Sequence, residues 1–280
     1  MGDRILNFNQ TPKYLGVTLD RTLSFKRHLT KLRGKVASRN NIINKLVATS
    51  WGMNAKTLRI SALAMVFSTA EYCCPVWINS HHTSLLDTVL NSTMQIISGT
   101  VRSTPRAWLP ALSNIAPADI RRKKALLREF NKATADSNQP LFNDLKELVP
   151  DRLKSRKPPM RTAATLADDH FSVDVAWEEE WGKSALNSPL YTFGSVRSEE
   201  FTLPRRVWSN LNRLRTGHGR CGEMLFKWRL VDDPSCKCGH PVQTTEHMMS
   251  ECIFTKFDGP KHEIAQLTPR ACDWLKTLNL

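Results

Sequence analysis

Apolar positions recur at intervals of three, four and seven along the stretch from about residue 25 to residue 128. The first such stripe is formed by Leu29, Leu32, Val36, Ile43 and Leu46. Basic residues between them fall mostly off the stripe, so the pattern predicts an amphipathic helix. The segment that follows, from Ala55 to Cys73, is apolar nearly all round, which is typical of a central, buried helix.

Helix boundaries are also encoded further along the chain. Ser84 is an N-cap residue, and Gly99 is placed as a C-terminal stop. Pro117 then opens a helix at a favoured first position, and Pro204 opens another whose apolar side holds Val207, Leu211 and Leu214. These signals predict a mainly helical protein.

Two other stretches lack helical periodicity. Residues 13–19 are rich in β-formers around one glycine and are followed by a turn sequence, so they predict short strands. Residues 136–200 hold five prolines, a basic run at 152–157 and an acidic run at 177–181, with few regular apolar spacings. We interpret this second stretch as a linker with loosely packed pieces.

The charge of the chain favours a polyanionic partner. Forty Lys and Arg against 26 Asp and Glu give a net charge of +14 over 280 residues, although 41% hydrophobic content is ordinary for a globular protein. Nucleic acid is the leading candidate for this partner, and an anionic membrane surface is the alternative. No stretch approaches the roughly 20 apolar residues of a membrane span, and residues 1–9 contain no secretory apolar core.

The strongest chemical signal is a spaced set of cysteine and histidine residues. The pattern is Cys-x-Cys, eight residues, His, four residues, Cys, and it comprises Cys236, Cys238, His247 and Cys252. Three thiolates and one imidazole suit tetrahedral zinc, and four protein ligands leave no open position, so the predicted zinc is structural. Glu246 is a candidate to orient the imidazole, although as an adjacent residue it can also point away.

Alternatives to this ligand set remain open. His240, His218 and Cys221 are possible substitute ligands, and the cysteines could also be buried free thiols without a metal. Seven cysteines, an odd number, with three of them inside one short segment, favour metal binding in a reducing compartment over a disulfide framework.

Basic side chains beside apolar stripes are the second chemical signal. We predict phosphate contacts from two helices, at Arg121, Arg122, Lys123, Lys124, Arg205, Arg206, Arg213 and Arg215. The alternative is that each of these faces is simply solvated. A basic run from Lys31 to Lys45 accompanies the first helix in the same way.

One acidic pair resembles a polymerase metal site. Asp168 and Asp169 follow a Leu-Ala pair, and paired carboxylates can hold two magnesium ions. The residues before them make a poor buried strand, so we interpret the pair as a solvated turn. No residue of the chain is predicted to be catalytic.

Three segments together resemble one family. Residues 12–20 read Pro-Lys-Tyr-Leu-Gly-Val-Thr-Leu-Asp and are followed by Leu23-Ser24-Phe25 and His28. This stretch resembles the palm edge of reverse transcriptases from non-LTR (LINE-type, jockey-like) retrotransposons. Residues 71–77 look like their thumb, and the Cys/His segment is similar to their zinc knuckle.

The resemblance implies an architecture and roles for these segments. It implies a mainly α fold with a palm-edge β-hairpin remnant at residues 1–25, a helical thumb-like domain at 26–135, an irregular linker at 136–200, and a basic helix plus zinc-knuckle module at 201–280. It also implies that Tyr14, Leu15 and Gly16 act like a primer grip.

The family's catalytic carboxylates precede this hairpin, so we expect a C-terminal part of the enzyme that does not polymerise alone and would need magnesium only if paired with a catalytic half. The predicted function is therefore binding of RNA or DNA, single-stranded or template–primer, in the nucleus or cytoplasm, with no membrane partner. The alternatives are an RNA-directed DNA polymerase by descent and a zinc-dependent protein-interaction module.

Overall fold

A computed structural model describes residues 9–48, 51–146 and 157–280, and it is mainly helical with one small hairpin. The helices are α1 (Lys26–Lys45), α2 (Ala55–Ala62), α3 (Ser68–Ala70), α4 (Cys74–Trp77), α5 (Ser84–Ser98), α6 (Trp108–Ser113), α7 (Ala118–Ala135), α8 (Leu141–Lys146), α9 (Pro159–Asp168), α10 (Val173–Lys183), α11 (Arg205–Thr216), α12 (Gly222–Lys227), α13 (Thr245–Ser250), α14 (Lys261–Gln266) and α15 (Pro269–Thr277). The mainly α fold with an N-terminal hairpin is confirmed.

The hairpin pairs β1 (Lys13–Tyr14) with β2 (Val17–Thr18) in antiparallel register. Leu15 and Gly16 form its two-residue turn, with φ of 43° and 87°. Positive φ at both central positions is what a tight hairpin with right-handed strand twist requires. Gly16 is also needed for space, because a Cβ there would lie 2.9 Å from the ring of Tyr72.

Helix α1 has the predicted buried stripe. Leu29, Leu32, Val36 and Ile43 are buried on it, and Leu46 follows just after the helix end. Helix α5 ends before Gly99, whose φ of 71° suits a glycine stop, and α7 begins directly after Pro117.

The predicted central helix from Ala55 to Cys73 is not one continuous α-helix. Helix α2 passes into a π-helical turn at Leu63–Phe67 and then into the short α3, before Cys73 adopts a left-handed conformation. The π turn keeps Val66 and Phe67 buried. Apolar periodicity cannot distinguish an α-helix from such a widened turn, because both bury the same kind of residue.

The stretch at 136–200 contains more regular structure than its prolines indicate. Helices α8, α9 and α10 lie within it, followed by a 3-10 helix at Ser198–Thr202. Trp181 packs edge-on against Trp108 and Tyr191, with ring centroids 5.1 and 5.4 Å away. Part of the predicted linker therefore builds a core.

The described residues divide into two compact units, neither of which is one contiguous stretch. The first unit comprises 9–39, 65–90, 117–146 and 157–176, and the second comprises 40–48, 51–64, 91–116 and 177–280. These boundaries differ from the contiguous domains inferred from sequence. The core of the second unit joins α11, through Val207 and Leu211, to Met249, Ala271 and Leu275.

Candidate metal centre

Two local structures present the four Cys and His side chains. The first is a tight turn after Cys236, in which the Gly239 N–H donates to the Cys236 carbonyl (2.9 Å) and the Cys236 N–H donates to the His240 carbonyl (2.8 Å). Gly239 has a φ of 92°, in the left-handed region that favours glycine. This turn brings Cys236 and Cys238 to the same side.

The second local structure is helix α13. The Thr244 hydroxyl caps it by accepting a hydrogen bond from the His247 N–H (3.0 Å). The His247 carbonyl then accepts from the Cys252 N–H (2.9 Å), so the chain folds back just after the helix. His247 and Cys252 thereby reach the same point from one helical turn and its end.

The four predicted ligands meet with metal-site geometry. One ligand atom from each lies within 4.8 Å of all the others, and all except Cys238 are buried. The Sγ atoms of Cys236 and Cys252 are 3.6 Å apart, and Cys238 Sγ is 3.2 Å from His247 Nε2. A tetrahedral site with ~2.3 Å metal–sulfur bonds separates its sulfurs by ~3.8 Å. The cluster could therefore hold a metal ion.

The surroundings favour the thiolate, the form that binds metal, at Cys236 and Cys252, whereas the pKa of Cys238 is raised, with burial and the neighbouring thiols Cys236 and Cys252 opposing its ionisation. Burial alone would raise the pKa of the Cys236 thiol, but hydrogen bonds from the Cys238 backbone and the Gln243 side chain lower it to about 6. At Cys252, burial likewise opposes ionisation, and hydrogen bonds from Thr255 and the backbone lower the pKa overall. The Gln243 Nε2 group lies 3.3 Å from Cys236 Sγ.

A carboxylate orients the imidazole, but it is Glu251 and not Glu246. Glu251 Oε2 lies 3.2 Å from His247 Nδ1, which leaves Nε2 facing the sulfurs. Glu246 points away and pairs with Lys261 at 2.5 Å. The sequence signal for Glu251 was its place four residues after the histidine, on the same side of the helix end.

The alternative ligands do not enter the four-residue cluster. The ring of His240 stacks on that of His247 at 4.2 Å, and these two with Glu251 form a second, overlapping group of possible ligands. His218 instead lies 3.3 Å from the Ser103 hydroxyl. Cys221 is buried in the apolar core, where burial raises the pKa of its thiol.

Backbone hydrogen bonds attach the Cys/His segment to helix α12. Gln243 donates its N–H to the Pro234 carbonyl (2.8 Å) and accepts from the Glu223 N–H (3.0 Å). Its side chain also accepts from the Gly222 N–H (2.9 Å). A Cβ on Gly222 would lie 2.6 Å from the Pro234 carbonyl oxygen, so this contact needs glycine.

On helix α7, the predicted phosphate contacts are partly occupied by acidic partners. Arg121 makes two bonds to Glu71, at 2.5 and 2.8 Å, and Arg122 is buried against Asp87 at 2.6 Å. The two neighbouring lysines are freer. Lys123 is 3.4 Å from Asp119 on the same helix, and Lys124 is exposed.

On helix α11, three of the four predicted arginines are buried. Arg205 and Arg213 donate to carbonyl oxygens, and Arg215 forms a buried ion pair with Glu200 at 2.8 Å. In this conformation they do not face solvent, which a phosphate contact requires. Arg206 is exposed and donates to the Leu278 carbonyl (3.1 Å).

Other predicted residues lie at the surface. Tyr14 and Leu15 at the hairpin tip are 68% and 72% exposed. Asp168 and Asp169 are exposed at the end of α9. No helix within the described ranges combines the length and apolarity that crossing a bilayer demands.

Sequence reasoning gave too little weight to the cations at the start of α1. Five exposed basic side chains occur there, at Lys26, Arg27, Lys31, Arg33 and Lys35. The helix contains no acidic residue, and none of the five makes an ion pair with another described residue. Arg27, Lys31 and Lys35 are spaced by four and so form one row, with steps of about 6 Å along the helix.

Together these features define a basic, mainly helical chain with a compact Cys/His cluster. The cluster could hold a metal ion, and the cations at the start of α1 form an uncompensated positive face.

Comparison with known proteins connects this chain to mobile elements. It is 21% identical over 86% of its length to "Retrovirus-related Pol polyprotein from type-1 retrotransposable element R1 2" of Nasonia vitripennis. It is 22% identical over 92% of its length to the corresponding polyprotein of element R1 4 from the same organism. It is also 20% identical over 89% of its length to "Putative 115 kDa protein in type-1 retrotransposable element R1DM" of Drosophila melanogaster.

The chain is thus related, over most of its length, to proteins of R1 retrotransposable elements, two of them Pol polyproteins, and its resemblance to a retrotransposon protein is confirmed. It spans 58%, 64% and 24% of the lengths of these three relatives. No protein-family model matches the chain. No solved structure matches it either.

Proposed function

We propose that this retrotransposon-derived chain binds nucleic acid through the cations at the start of α1, and that a structural zinc ion stabilises its Cys/His module. The observation that carries the first part is the row of Arg27, Lys31 and Lys35. Like charges spaced by four on a helix destabilise it by about 0.2–0.5 kcal/mol per pair. A row with that cost and no acidic neighbour is what a polyanion partner would use.

Local electrostatics support the same interpretation. Lys31 and Lys35 lie close enough to the buried His28 that, after burial itself, their charges lower its pKa. Their positive field is therefore not neutralised by nearby acids. Lys124 and Arg206, which are exposed, remain proposed phosphate contacts alongside the row.

The salt dependence of binding tests this proposal. The triple variant Arg27→Gln, Lys31→Gln, Lys35→Gln should reduce the slope of log affinity against log salt by about 2–3 in magnitude, because three phosphate contacts are lost. The same variant should fold at least as stably as the wild type, since repulsion is removed. Fluorescence anisotropy with a labelled single-stranded oligonucleotide measures the first effect, and urea denaturation the second.

A matched control neutralises two cations that already have a partner. Arg128 and Lys132 both pair with Glu129, so Arg128→Gln with Lys132→Gln should leave the slope near its wild-type value. An unchanged slope in the triple variant would show that the row does not contact phosphate.

The zinc part of the proposal rests on the chemistry of the ligand set. Three sulfurs and one imidazole nitrogen suit zinc, and four protein ligands leave no position for a reacting water. We propose a structural role because the segment from Pro234 to Phe254 is too short to fold around a hydrophobic core of its own without a metal.

Elemental analysis of the purified chain tests the ligand assignment. We expect about one zinc per chain in the wild type and a large loss in Cys238→Ser. Cys272→Ser is the matched control, because Cys272 lies outside the cluster and is only half-buried. Undiminished zinc in Cys238→Ser would show that the ligands are different.

The hairpin tip is a further proposed contact. Tyr14 and Leu15 are exposed on a turn held by the bond from the Tyr72 hydroxyl to the Leu15 carbonyl (3.2 Å). A rigid tip with an exposed aromatic ring is suited to stacking on a base. This supports the primer-grip role that the resemblance implies for Tyr14, Leu15 and Gly16.

A further inference from the structure

A polar cavity of about 520 Å³ lies in the second unit, away from the Cys/His cluster. Its volume is within the range of about 300–1,000 Å³ that is usual for small-molecule sites. The polar side chains that line it include Asn40, Asn44, Gln95, Arg102, Arg205 and Arg213. Among the described residues, no aspartate or glutamate lines it.

Two of the arginines are buried without a carboxylate side chain as partner. Arg205 donates from Nη1 to the Ile97 carbonyl (3.0 Å) and from Nη2 to the Ile96 carbonyl (2.6 Å). Arg213 donates from Nε to the Gly99 carbonyl (2.9 Å) and from Nη1 to a terminal oxygen of Leu280, the last residue of the chain, so its charge has an anionic partner. Each guanidinium has five N–H groups, so donors remain on both.

Burial, with repulsion between cations as a second cause, lowers the pKa of both buried arginines. Burial lowers the pKa of Arg205 to about 10, and repulsion from Arg213 adds to this. Burial lowers the pKa of Arg213 to about 10 as well, with repulsion from Arg220 as the second cause.

The carbonyl acceptors at the end of α5 do not balance this charge. A helix C-terminus carries the equivalent of about half a negative charge, whereas the buried Arg205 guanidinium carries one full positive charge. Arg102 adds a second at the exposed side of the cavity. The cavity therefore has an excess of positive charge. It also has amide donors from Asn40, Asn44 and Gln95, although Gln95 already uses one N–H group in its hydrogen bond to the Val101 carbonyl.

We propose that this cavity binds a phosphate group. Planar guanidinium forks and amide N–H groups match phosphate oxygens, and an anion would neutralise the buried charge. The phosphate could belong to a free polyphosphate or to a nucleic-acid backbone, since both present the same group. The proposal does not use the cations at the start of α1, although Asn40 and Asn44 lie near the end of that helix.

Isothermal titration calorimetry of the full chain with pyrophosphate tests the site. The wild type should bind with saturation. Asn44→Asp places a negative charge at an exposed position on the cavity wall and should weaken binding about tenfold by repulsion. Asn187→Asp makes the same change at an exposed position outside the cavity and should bind like the wild type.

A second pair of variants tests the cavity without altering helix α1, on which Asn44 lies. Arg102→Gln removes the exposed cation of the cavity and should also weaken pyrophosphate binding, whereas Arg106→Gln, an exposed arginine outside the lining, should not. Neither variant touches the buried arginines, so both should fold normally.

Oligonucleotide binding identifies the source of the phosphate. If Asn44→Asp also weakens binding of a single-stranded oligonucleotide and pyrophosphate competes with it, the ligand is a backbone phosphate. If only pyrophosphate binding weakens, the ligand is a free polyphosphate. Either result supports the site. Absence of saturable pyrophosphate binding to the wild type, or equal affinities for Asn44→Asp and Asn187→Asp, would overturn it.

Discussion

The buried ion pair between Arg215 and Glu200 makes a sharp prediction about the core of the second unit. The two side chains are 2% and 1% exposed, and the Arg215 Nη2 to Glu200 Oε2 distance is 2.8 Å. Arg215 also donates to Asn212 Oδ1 (3.2 Å) and to the Leu190 carbonyl (3.4 Å). The change Glu200→Gln keeps the shape of the side chain, removes its charge and replaces one of its two accepting oxygens with an NH2 donor.

The expected cost follows from what that change leaves behind. Removing one partner of a buried pair leaves an uncompensated charge and costs about 3–5 kcal/mol. Because glutamine can still accept a hydrogen bond from Arg215, we expect the lower end, ~3 kcal/mol. For a unit of this size that corresponds to a melting temperature lower by about 6–12 °C.

Urea denaturation monitored by circular dichroism measures this effect, with Glu199→Gln as the control. Glu199 is the exposed neighbour, so its neutralisation should change stability by less than about 0.5 kcal/mol. Replacing both Glu200 and Arg215 with methionine should recover much of the loss, since no buried charge is then left alone. If Glu200→Gln were as stable as Glu199→Gln, the assignment of Arg215 to a core ion pair would be wrong.

Three further predictions concern other named contacts. Gly222→Ala should destabilise the Cys/His segment by ~1–3 kcal/mol and reduce its zinc content, because the new methyl group would meet a backbone carbonyl at 2.6 Å. Glu251→Gln should weaken zinc affinity about tenfold, measured by chelator competition, because His247 loses the carboxylate at its Nδ1 atom. Burial and two nearby lysines lower the pKa of His28 from 6.5, so neutral His28 supports the fold above pH 6.5 and that support is lost as the pH falls below it. His28→Gln should therefore flatten the loss of stability between pH 7 and pH 5.

Each of these predictions has a matched control. Gly34→Ala should stabilise α1 by about 0.5–1 kcal/mol, because nothing lies within 4 Å of the added Cβ. Glu246→Gln should leave zinc affinity unchanged, since Glu246 pairs with Lys261. His262→Gln alters an exposed histidine and should leave the pH profile as it is. If a control variant gave the same result as its test variant, the corresponding argument would be refuted.

The elements that sequence predicted well are those whose signals are local. The stripe from Leu29 to Ile43 fixed α1, and the Gly99 and Pro117 signals marked the limits of α5 and α7. The Tyr-Leu-Gly-Val run forms the expected hairpin, and the two residues of its turn, Leu15 and Gly16, have the positive φ that such a turn needs. The helix limits depend on neighbours in the chain, whereas the hairpin turn is also held by the distant Tyr72, whose hydroxyl donates to the Leu15 carbonyl.

The features that sequence missed depend on tertiary contacts. The π turn at Leu63–Phe67 and the packing of Trp181 on Trp108 and Tyr191 have no distinct apolar period. The Cys/His cluster was predictable because its spacing is short. Glu251 was not predicted because it lies one helical turn after His247, whereas the residue predicted to orient the imidazole, Glu246, is the sequence neighbour of His247.

The basic helices show why net charge alone does not locate a nucleic-acid surface. Of the eight cations predicted to contact phosphate, four are paired with acids, and Arg205 and Arg213 are buried against main-chain oxygens; the four are Arg121, Arg122, Lys123 and Arg215. Amphipathic spacing could not reveal this, because every position of α11 from Val207 to Thr216 is buried, polar ones included.

The property that separates a binding face from a structural one is the absence of acidic partners. Helix α11 combines its arginines with carbonyl oxygens and Glu200, whereas α1 contains basic residues and no acid at all. A solvated row of like charges costs helix stability, so its retention needs a reason outside the helix. The polyanion partner that we propose would supply that reason, because counterion release rewards each unpaired cation. The same argument, applied to buried positions, distinguishes Arg205, which donates only to carbonyl oxygens and lines a cavity, from Arg215, which pairs with Glu200.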